Sequence, residues 1–388
     1  MKIIYLSNHF HHHQKPLADF LYEVNGDGYR FVEMNQELHI SRKELGFKEY
    51  KVPYTIKYVG NEQFVDKLIM DADAVICGDA SVDLLRNRVK AGKLIFRDDE
   101  RRYKNIFKYL KYPIYTLHSH IFNRGYLLSA SAYGARDYVL SGMDPQRCFK
   151  WGYFIEIKEQ ENLSMFIKNK RKFAEEKYNG YTSILWVGRM IAWKHPELVI
   201  EVARKLKNDF LDFHINMIGR GHMKNKLLKL IQKYGLSQYV TLHDSKGQDE
   251  VRDYMEKSEI YLFTSDEGEG WGVVLSEAMA SACVPVASHA AGATPALVKD
   301  GENGYIFTSK SIDSLYEKLK KLILENNLRC KMAESAYKTM LNVWNPLIAG
   351  KNLMALIESI LKGGGTPIVE GPCSQAIIMN HTNYKKYK

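Results

Sequence analysis

Cysteine is sparse in this chain. Cys77, Cys148, Cys283, Cys330 and Cys373 are scattered along it with no C-x-x-C pair. That argues against a disulfide framework, and Cys77 and Cys283 sit in apolar contexts, as expected of reduced, cytoplasmic cysteine used for packing. Long hydrophobic runs are missing too. No stretch reaches the ~18 apolar residues of a spanning segment, so no transmembrane helix is expected. The opening MKIIYLSNHFHHHQ has one lysine before a short strand-like run and no cleavage site, so no signal peptide is expected either. No RNP, zinc-finger or helix-turn-helix signature is present, and no period of 20 to 50 residues, which argues against nucleic-acid modules and solenoids.

What is present suits a globular enzyme-sized chain. The 388 residues are 45% hydrophobic and 26% charged, enough for two ordinary domains with real cores. The net charge of +10 suits an anionic partner, whether nucleic acid, a lipid headgroup surface or a phosphorylated substrate, and does not choose among them.

The chain is organised around Ser265 to Leu297. An apolar strand, IYLFT, leads in from Ile260, and a second, VPVAS, leaves from Val284. Between them lie a Gly-rich turn and a helix, one unit of a parallel α/β sheet. Gly270 and Gly272 let backbone approach a ligand closely. The helix begins near Trp271, so its free N–H groups and positive dipole end face the turn, a seat for phosphate. Glu269 and Glu277 have seven residues between them, one before the helix and one within it. One carboxylate can meet a reacting group while the other holds hydroxyls such as those of a ribose.

The first half begins with a strand from Lys2 to Ser7, then Asn8-His9-Phe10-His11-His12-His13-Gln14, then a helix from Pro16. That loop belongs at the carboxyl edge of a sheet, where doubly wound folds bind ligands. The histidines read as a metal site, a polar loop, part of a tag, or one or two groups acting on a substrate; the last is the preferred reading. Further strands are expected over Tyr29 to Met34, Ala72 to Gly78 and Lys93 to Arg97, the last delivering the cluster Asp98-Asp99-Glu100-Arg101 to another carboxyl edge. Arg101 to Arg124 carries Lys and Arg without an acid, interleaved with Tyr and Phe. It reads either as a packed helix with a solvated basic side or as a surface for an anionic membrane. Polar sequence from Glu156 to Asn179 reads as a linker with some helix.

The second half alternates strand and helix. Arg189 and Lys194 follow the strand from Ser183 to Gly188 and can reach toward a diphosphate, Arg as a fork and Lys as a point charge, or can be ordinary solvated charges. An amphipathic helix is expected over Val343 to Leu361, and Gly363-Gly364-Gly365 opens a tail that looks poorly structured. The division that follows is 1–156 completed by 343–361, then 157–342, with 362–388 a flexible tail.

Three motifs, VGR-(x)4-K at Gly188 to Lys194, IGRG at Ile218 to Gly221 and EGWGVVLSEAM at Glu269 to Met279, together resemble the retaining GT-B glycosyltransferases of family four. In the first half, NHFHHHQKPLADFLY and FRDDERRYK resemble loops of its bacterial branch for capsule, exopolysaccharide and lipopolysaccharide assembly. The sequence departs from the family pattern at AGATPAL, where Ala296 stands for a frequent Glu, and at Asp99, where Ser is frequent. The resemblance implies two Rossmann-like doubly wound parallel-sheet domains facing across a cleft, with the last helix crossing back to the N-terminal domain. It implies a donor diphosphate neutralised by Arg189 and Lys194, with Glu269 at the donor sugar, Glu277 on the ribose, and Gly219, Gly221, Gly270, Trp271, Gly272 and Val274 lining the donor. His13, His12, Glu100 and Arg101 would face sugar or acceptor.

The implied reaction is metal-independent transfer with retained configuration, from a nucleotide-sugar to a glycan or lipid-linked acceptor; the nucleotide is UDP or GDP, and UDP is the preferred reading although no residue decides it. No D-x-D motif stands between strands, Asp71-Ala-Asp73 being at a helix end. No cofactor and no nucleic-acid partner are expected. The expected location is cytoplasmic, at the inner face of the plasma membrane if stretch 101–124 binds anionic lipid. Two alternatives stay open: a related transferase with a soluble acceptor such as a sugar phosphate, and a sugar-nucleotide binder without turnover.

Overall fold

The computed structural model describes residues 1–35, 50–78, 82–101 and 124–387. The chain forms two compact units, Met1–Glu156 with Val343–Asn383, and Ile157–Asn342 with Tyr384–Lys386. The basic-aromatic stretch expected between Arg101 and Arg124 lies outside the described residues except at its two ends.

Among the described residues, unit one holds parallel strands β1 (Ile3–Ser7), β2 (Tyr29–Glu33), β3 (Thr55–Lys57), β4 (Ala74–Cys77), β5 (Ile95–Asp99), β6 (Tyr126–Ser129) and β7 (Cys148–Lys150). Their order is β3-β2-β1-β4-β5-β6-β7. Helices α1 (Lys15–Asn25), α2 (Glu62–Asp71), α3 (Val82–Lys90) and α4 (Gly134–Leu140) connect them. Every residue of β1 and β4 is buried, which is why both read as unbroken apolar runs. The order reverses between β1 and β4, so the loop after β1 opens at a switch point.

Strand β5 runs two residues further than its apolar residues suggest. Asp98 pairs in register with Leu128 and Asp99 with Ser129, so these carboxylates belong to the ladder and not to the loop beyond it. Tyrosines from other elements make that possible: the Tyr5 hydroxyl donates to Asp98, and the Tyr138 hydroxyl donates to Asp99 at 2.5 Å.

Unit two contains β8 (Thr182–Val187), β9 (Phe213–Ile218), β10 (Val240–His243), β11 (Ile260–Phe263), β12 (Val284–Ser288) and β13 (Tyr305–Phe307), all parallel, in the order β10-β9-β8-β11-β12-β13. Its helices are α5 (Leu163–Tyr178), α6 (Pro196–Asn208), α7 (Lys224–Lys233), α8 (Gln248–Lys257), α9 (Val273–Ala280), α10 (Thr294–Leu297), α11 (Ile312–Leu324) and α12 (Asn326–Asn342). A core of Ile, Leu, Val and Met lies between sheet and helices.

The expected linker between Glu156 and Asn179 is largely α5. It is capped by Asn162, whose side chain accepts from the Met165 N–H, and by Asn179 in the left-handed conformation. Only Ile167, Lys170 and Ala174 are buried in it. One of those is a lysine, and its ammonium donates to the carbonyls of Met255 and Ser258, both at 2.7 Å. A charge in an apolar stripe hides the helical period.

The last long helix, α13 (Pro346–Leu361), returns to unit one. It starts later than the expected Val343, because Asn345 caps it and Pro346 takes its first turn. It packs on α1, where Gly350 is required because a Cβ would overlap the Phe20 ring. The tail beyond it is not loose. Gln375 bridges antiparallel to Phe149 of β7, the Lys150 N–H donates to the Ser374 carbonyl at 2.8 Å, and the Cys373 N–H donates to the Lys150 carbonyl at 2.7 Å. Cys373 is buried, and Ala376 joins Leu127, Tyr138, Met143 and Cys148 in one apolar cluster. The segment covers an otherwise open sheet edge. Among the described residues, no helix is long and apolar enough to cross a membrane.

Candidate active site

In unit two, the sheet order reverses between β8 and β11, and the loops after these two strands carry the predicted donor residues. The loop after β8 holds Arg189 and Lys194; the loop after β11 holds Glu269 to Gly272. They are joined at several points. The Lys194 ammonium pairs directly with the Glu269 carboxylate, which also accepts from the Ser265 hydroxyl at 2.9 Å. The Asp266 N–H donates to the Trp193 carbonyl at 3.0 Å, and the Thr264 hydroxyl donates to the Lys194 carbonyl at 2.6 Å. Arg189 is exposed, with its guanidinium 5.4 Å from the Trp193 ring centre.

Gly272 caps α9 with φ 90°, and a Cβ there would run into the Phe263 ring. Helix α9 therefore starts directly at the sheet edge. The N–H groups of Val273 and Val274 lie in its first turn, where no intrahelical acceptor exists, and the positive end of the dipole is there. Trp271 is buried beneath this turn, and its carbonyl accepts from the Ala293 N–H at 3.2 Å. Glu277 stands one turn further along. Burial raises the pKa of its carboxyl group, offset in part by Arg252.

Gly219 and Gly221 bring the loop after β9 close to the Arg189 loop. A Cβ at Gly219 would overlap the Gly188 carbonyl, and one at Gly221 the Met190 carbonyl. The loop after β9 thus lies backbone to backbone against the Arg189 loop, and these glycines serve that approach.

Three groups of this sheet edge carry no sequence signal of their own. His195 is held from both sides, with Nδ1 2.9 Å from Glu197 and Nε2 2.9 Å from Asp266. These two carboxylates raise its pKa to about 9 despite burial. Burial raises Asp266, but hydrogen bonds from His195, the Gly268 N–H and Lys310 outweigh it and leave the carboxyl at about 2. Lys310 lies 3.1 Å from the same Asp266 oxygen.

In unit one, the loop after β1 places His12 and His13 with ring centres 3.6 Å apart, and His13 lies parallel to Tyr153 at 6.5 Å. Burial, with His12 and His11 nearby, drives His13 down to about 3, so it is neutral. Glu100 accepts from the Tyr153 hydroxyl at 2.9 Å. His13 and Tyr153 line a cavity of about 20 Å³ together with Asp98, whose carboxyl is raised to about 7, chiefly by burial. Arg101 is turned inward: it is 5% exposed, with its guanidinium 3.9 Å from Asp137 and stacked over Tyr133. Its Nε and Nη1 are buried and donate no hydrogen bond among the described residues. No cluster of three or more His, Cys, Asp or Glu among the described residues is arranged to hold a metal ion.

Both units thus carry a parallel sheet of Rossmann order, with charged loops at one edge. The crystal structure of Anabaena HepE in complex with UDP superposes with a TM-score of 0.67 over 92% of this chain and all of that one, at 14% identity. The fold is that of the GT-B glycosyltransferases. Residues 167–339, most of unit two, match the family model Glycosyl transferases group 1. Among curated relatives, the Campylobacter jejuni N-acetylgalactosamine-N,N'-diacetylbacillosaminyl-diphospho-undecaprenol 4-alpha-N-acetylgalactosaminyltransferase is 32% identical over 38% of this chain and 38% of its own length. The putative colanic acid biosynthesis glycosyltransferase WcaL of Escherichia coli is 25% identical over 46% of this chain and 45% of its own length. The match therefore spans less than half of each of these two relatives.

Proposed function

We propose that this chain is a glycosyltransferase that moves a sugar from a nucleotide-sugar to a saccharide acceptor in bacterial surface-polysaccharide assembly. The observation that carries the reading is the gathering, at one switch point of unit two, of Arg189, the Lys194–Glu269 pair, the open N-terminus of α9 and the Glu277 carboxylate. A diphosphate needs fixed positive charge and free N–H groups, and a ribose needs a carboxylate to accept from its hydroxyls. Glu277, partly buried one turn into α9, is placed to accept from such hydroxyls. The names of the relatives point the same way.

The donor is a UDP-sugar rather than a GDP-sugar. The acceptor is lipid-linked, and the chain meets an anionic membrane surface. The sugar is transferred with retained configuration by front-side displacement, the leaving diphosphate being stabilised by Arg189 and Lys194 without a divalent metal. Such preorganised charge is typically the largest single contribution to catalysis, about 3–4 kcal/mol for one lost group. Glu269 sits at the sugar's reacting carbon, and neutral His13 with Glu100 contacts sugar or acceptor.

The test incubates the purified chain with panels of UDP- and GDP-sugars and an undecaprenyl-diphosphate-linked saccharide, in EDTA. Growth of the glycolipid by one sugar, with the donor's anomeric configuration seen by NMR, is expected. No transfer from any donor, or transfer with inversion, would overturn the proposal in its full form.

A further inference from the structure

We infer that His195 is a positioning residue of the donor site: it latches the Arg189–Lys194 loop to the Asp266–Gly272 loop as a doubly bonded imidazolium. The consequence for donor binding rests on the reading proposed above; the latch itself rests on geometry.

His195 closes the loop after β8 and stands at the N-terminus of α6, in the left-handed region at φ 49°. A non-glycine residue there is strained and persists when its surroundings hold it. Here they do. Its side chain is 15% exposed, and each ring nitrogen faces a carboxylate oxygen at 2.9 Å. Both nitrogens can donate at once only when the ring is protonated. Glu197 lies on the same helix; Asp266 lies 71 residues away, on the loop that carries Glu269. Asp266 in turn organises that loop. Its carboxylate accepts from the Gly268 N–H at 2.9 Å, and its carbonyl accepts from the Glu269 N–H at 3.0 Å. One imidazolium thus joins the residue next to Lys194 to the turn that aims Glu269.

The charged groups facing this latch are Glu197 and Asp266 in direct contact, Lys310 against Asp266 and Glu267, and Lys226 near Glu197. The carboxylates win, and the ring stays protonated up to about pH 9. The folded pKa lies above the ordinary value of 6.5, so the latch contributes fully below pH 6.5 and is lost as pH rises through about 9.

The experiment compares the full chain with His195→Asn and His195→Arg. Asn tolerates the left-handed backbone but cannot bridge two carboxylates; Arg keeps a cation at every pH. Hydrogen exchange by mass spectrometry at pH 7.5 follows peptides covering 189–195 and 264–272, and calorimetry follows UDP binding from pH 7.5 to 10. Expected are faster exchange in both loops of the Asn variant, about tenfold weaker UDP binding by it at pH 7.5, and recovery to within about threefold in the Arg variant. Wild-type affinity should fall towards that of the Asn variant above pH 9, measured against the Arg variant, which carries every other titration of protein and ligand. Unchanged exchange in the Asn variant overturns the latch. Parallel pH curves for wild type and Arg variant overturn its ionic character. A wild type that binds no nucleotide defeats the donor-site reading instead, and exchange alone then decides the latch.

Discussion

The ammonium of Lys194 rests on the carboxylate of Glu269, from the loop after β8 to the loop after β11 and across 75 residues of sequence. Their side chains are 12% and 11% exposed, so the pair is largely shielded from water. A buried pair of this kind is costly to break from one side, because the remaining charge stays behind without compensation.

Lys194→Met should therefore destabilise the chain by about 3–5 kcal/mol, and Glu269→Gln in the same chain should recover a substantial part of that loss. Denaturant unfolding of the two single variants and the double variant measures the coupling. Additive losses would mean that the pair is not a shielded one.

Gly272→Ala tests the start of α9. The backbone at φ 90° and the Phe263 ring both oppose a methyl group. A loss of about 2 kcal/mol or more is expected, together with weaker nucleotide binding, since the N-terminus of the helix must shift. Wild-type melting and binding in this variant would show that the turn does not fix the helix.

Asp98 gives unit one a pH signature. Its carboxyl group, raised to about 7 by burial, binds a proton in the folded chain that the unfolded chain has already lost. Stability should fall as pH rises from about 4 to about 7, and Asp98→Asn, which keeps an acceptor for the Tyr5 hydroxyl, should flatten that part of the curve. Thermal melts of both proteins at half-unit pH steps make the comparison. Identical slopes would place the Asp98 carboxyl in water.

The C-terminal segment protects the edge strand β7. Cys77, Cys148, Cys283 and Cys373 are buried and Cys330 is partly exposed, so one thiol should react rapidly with an aromatic disulfide reagent in the native chain. Removing the segment from Thr366 onward uncovers Cys148, and the shortened chain should again show a fast thiol at Cys330 joined by a second at Cys148. An unreactive Cys148 after truncation would mean that the segment does not cover it.

The parts of the site legible in sequence are those built from local pattern. Strand, glycine turn and helix around Gly270-Trp271-Gly272 lie within one short segment, and the apolar runs of β8 and β11 announce the sheet edge. What stayed hidden is assembled by topology. His195 looks like an ordinary residue before a proline until Asp266 is brought to it. Asp98 and Asp99 look like a loop because the hydroxyls of Tyr5 and Tyr138 that keep them in β5 come from distant elements. Lys170 breaks the apolar stripe of α5 because its partners are carbonyls of another helix. The tail looks disordered because its order comes from pairing with the edge of β7. Gly219 and Gly221 fit a ligand-binding motif, and their close approach to the loop after β8 also comes only with the fold.

A diphosphate site at the β8–β11 switch point should show itself in the melting temperature of the full chain against UDP, GDP, ADP, CMP and dTDP, alongside Arg189→Ala. A rise with UDP is expected that grows with its concentration and disappears in the variant, whose exposed arginine contributes little to the fold itself. No rise with any nucleotide, or an equal rise in wild type and variant, would contradict it.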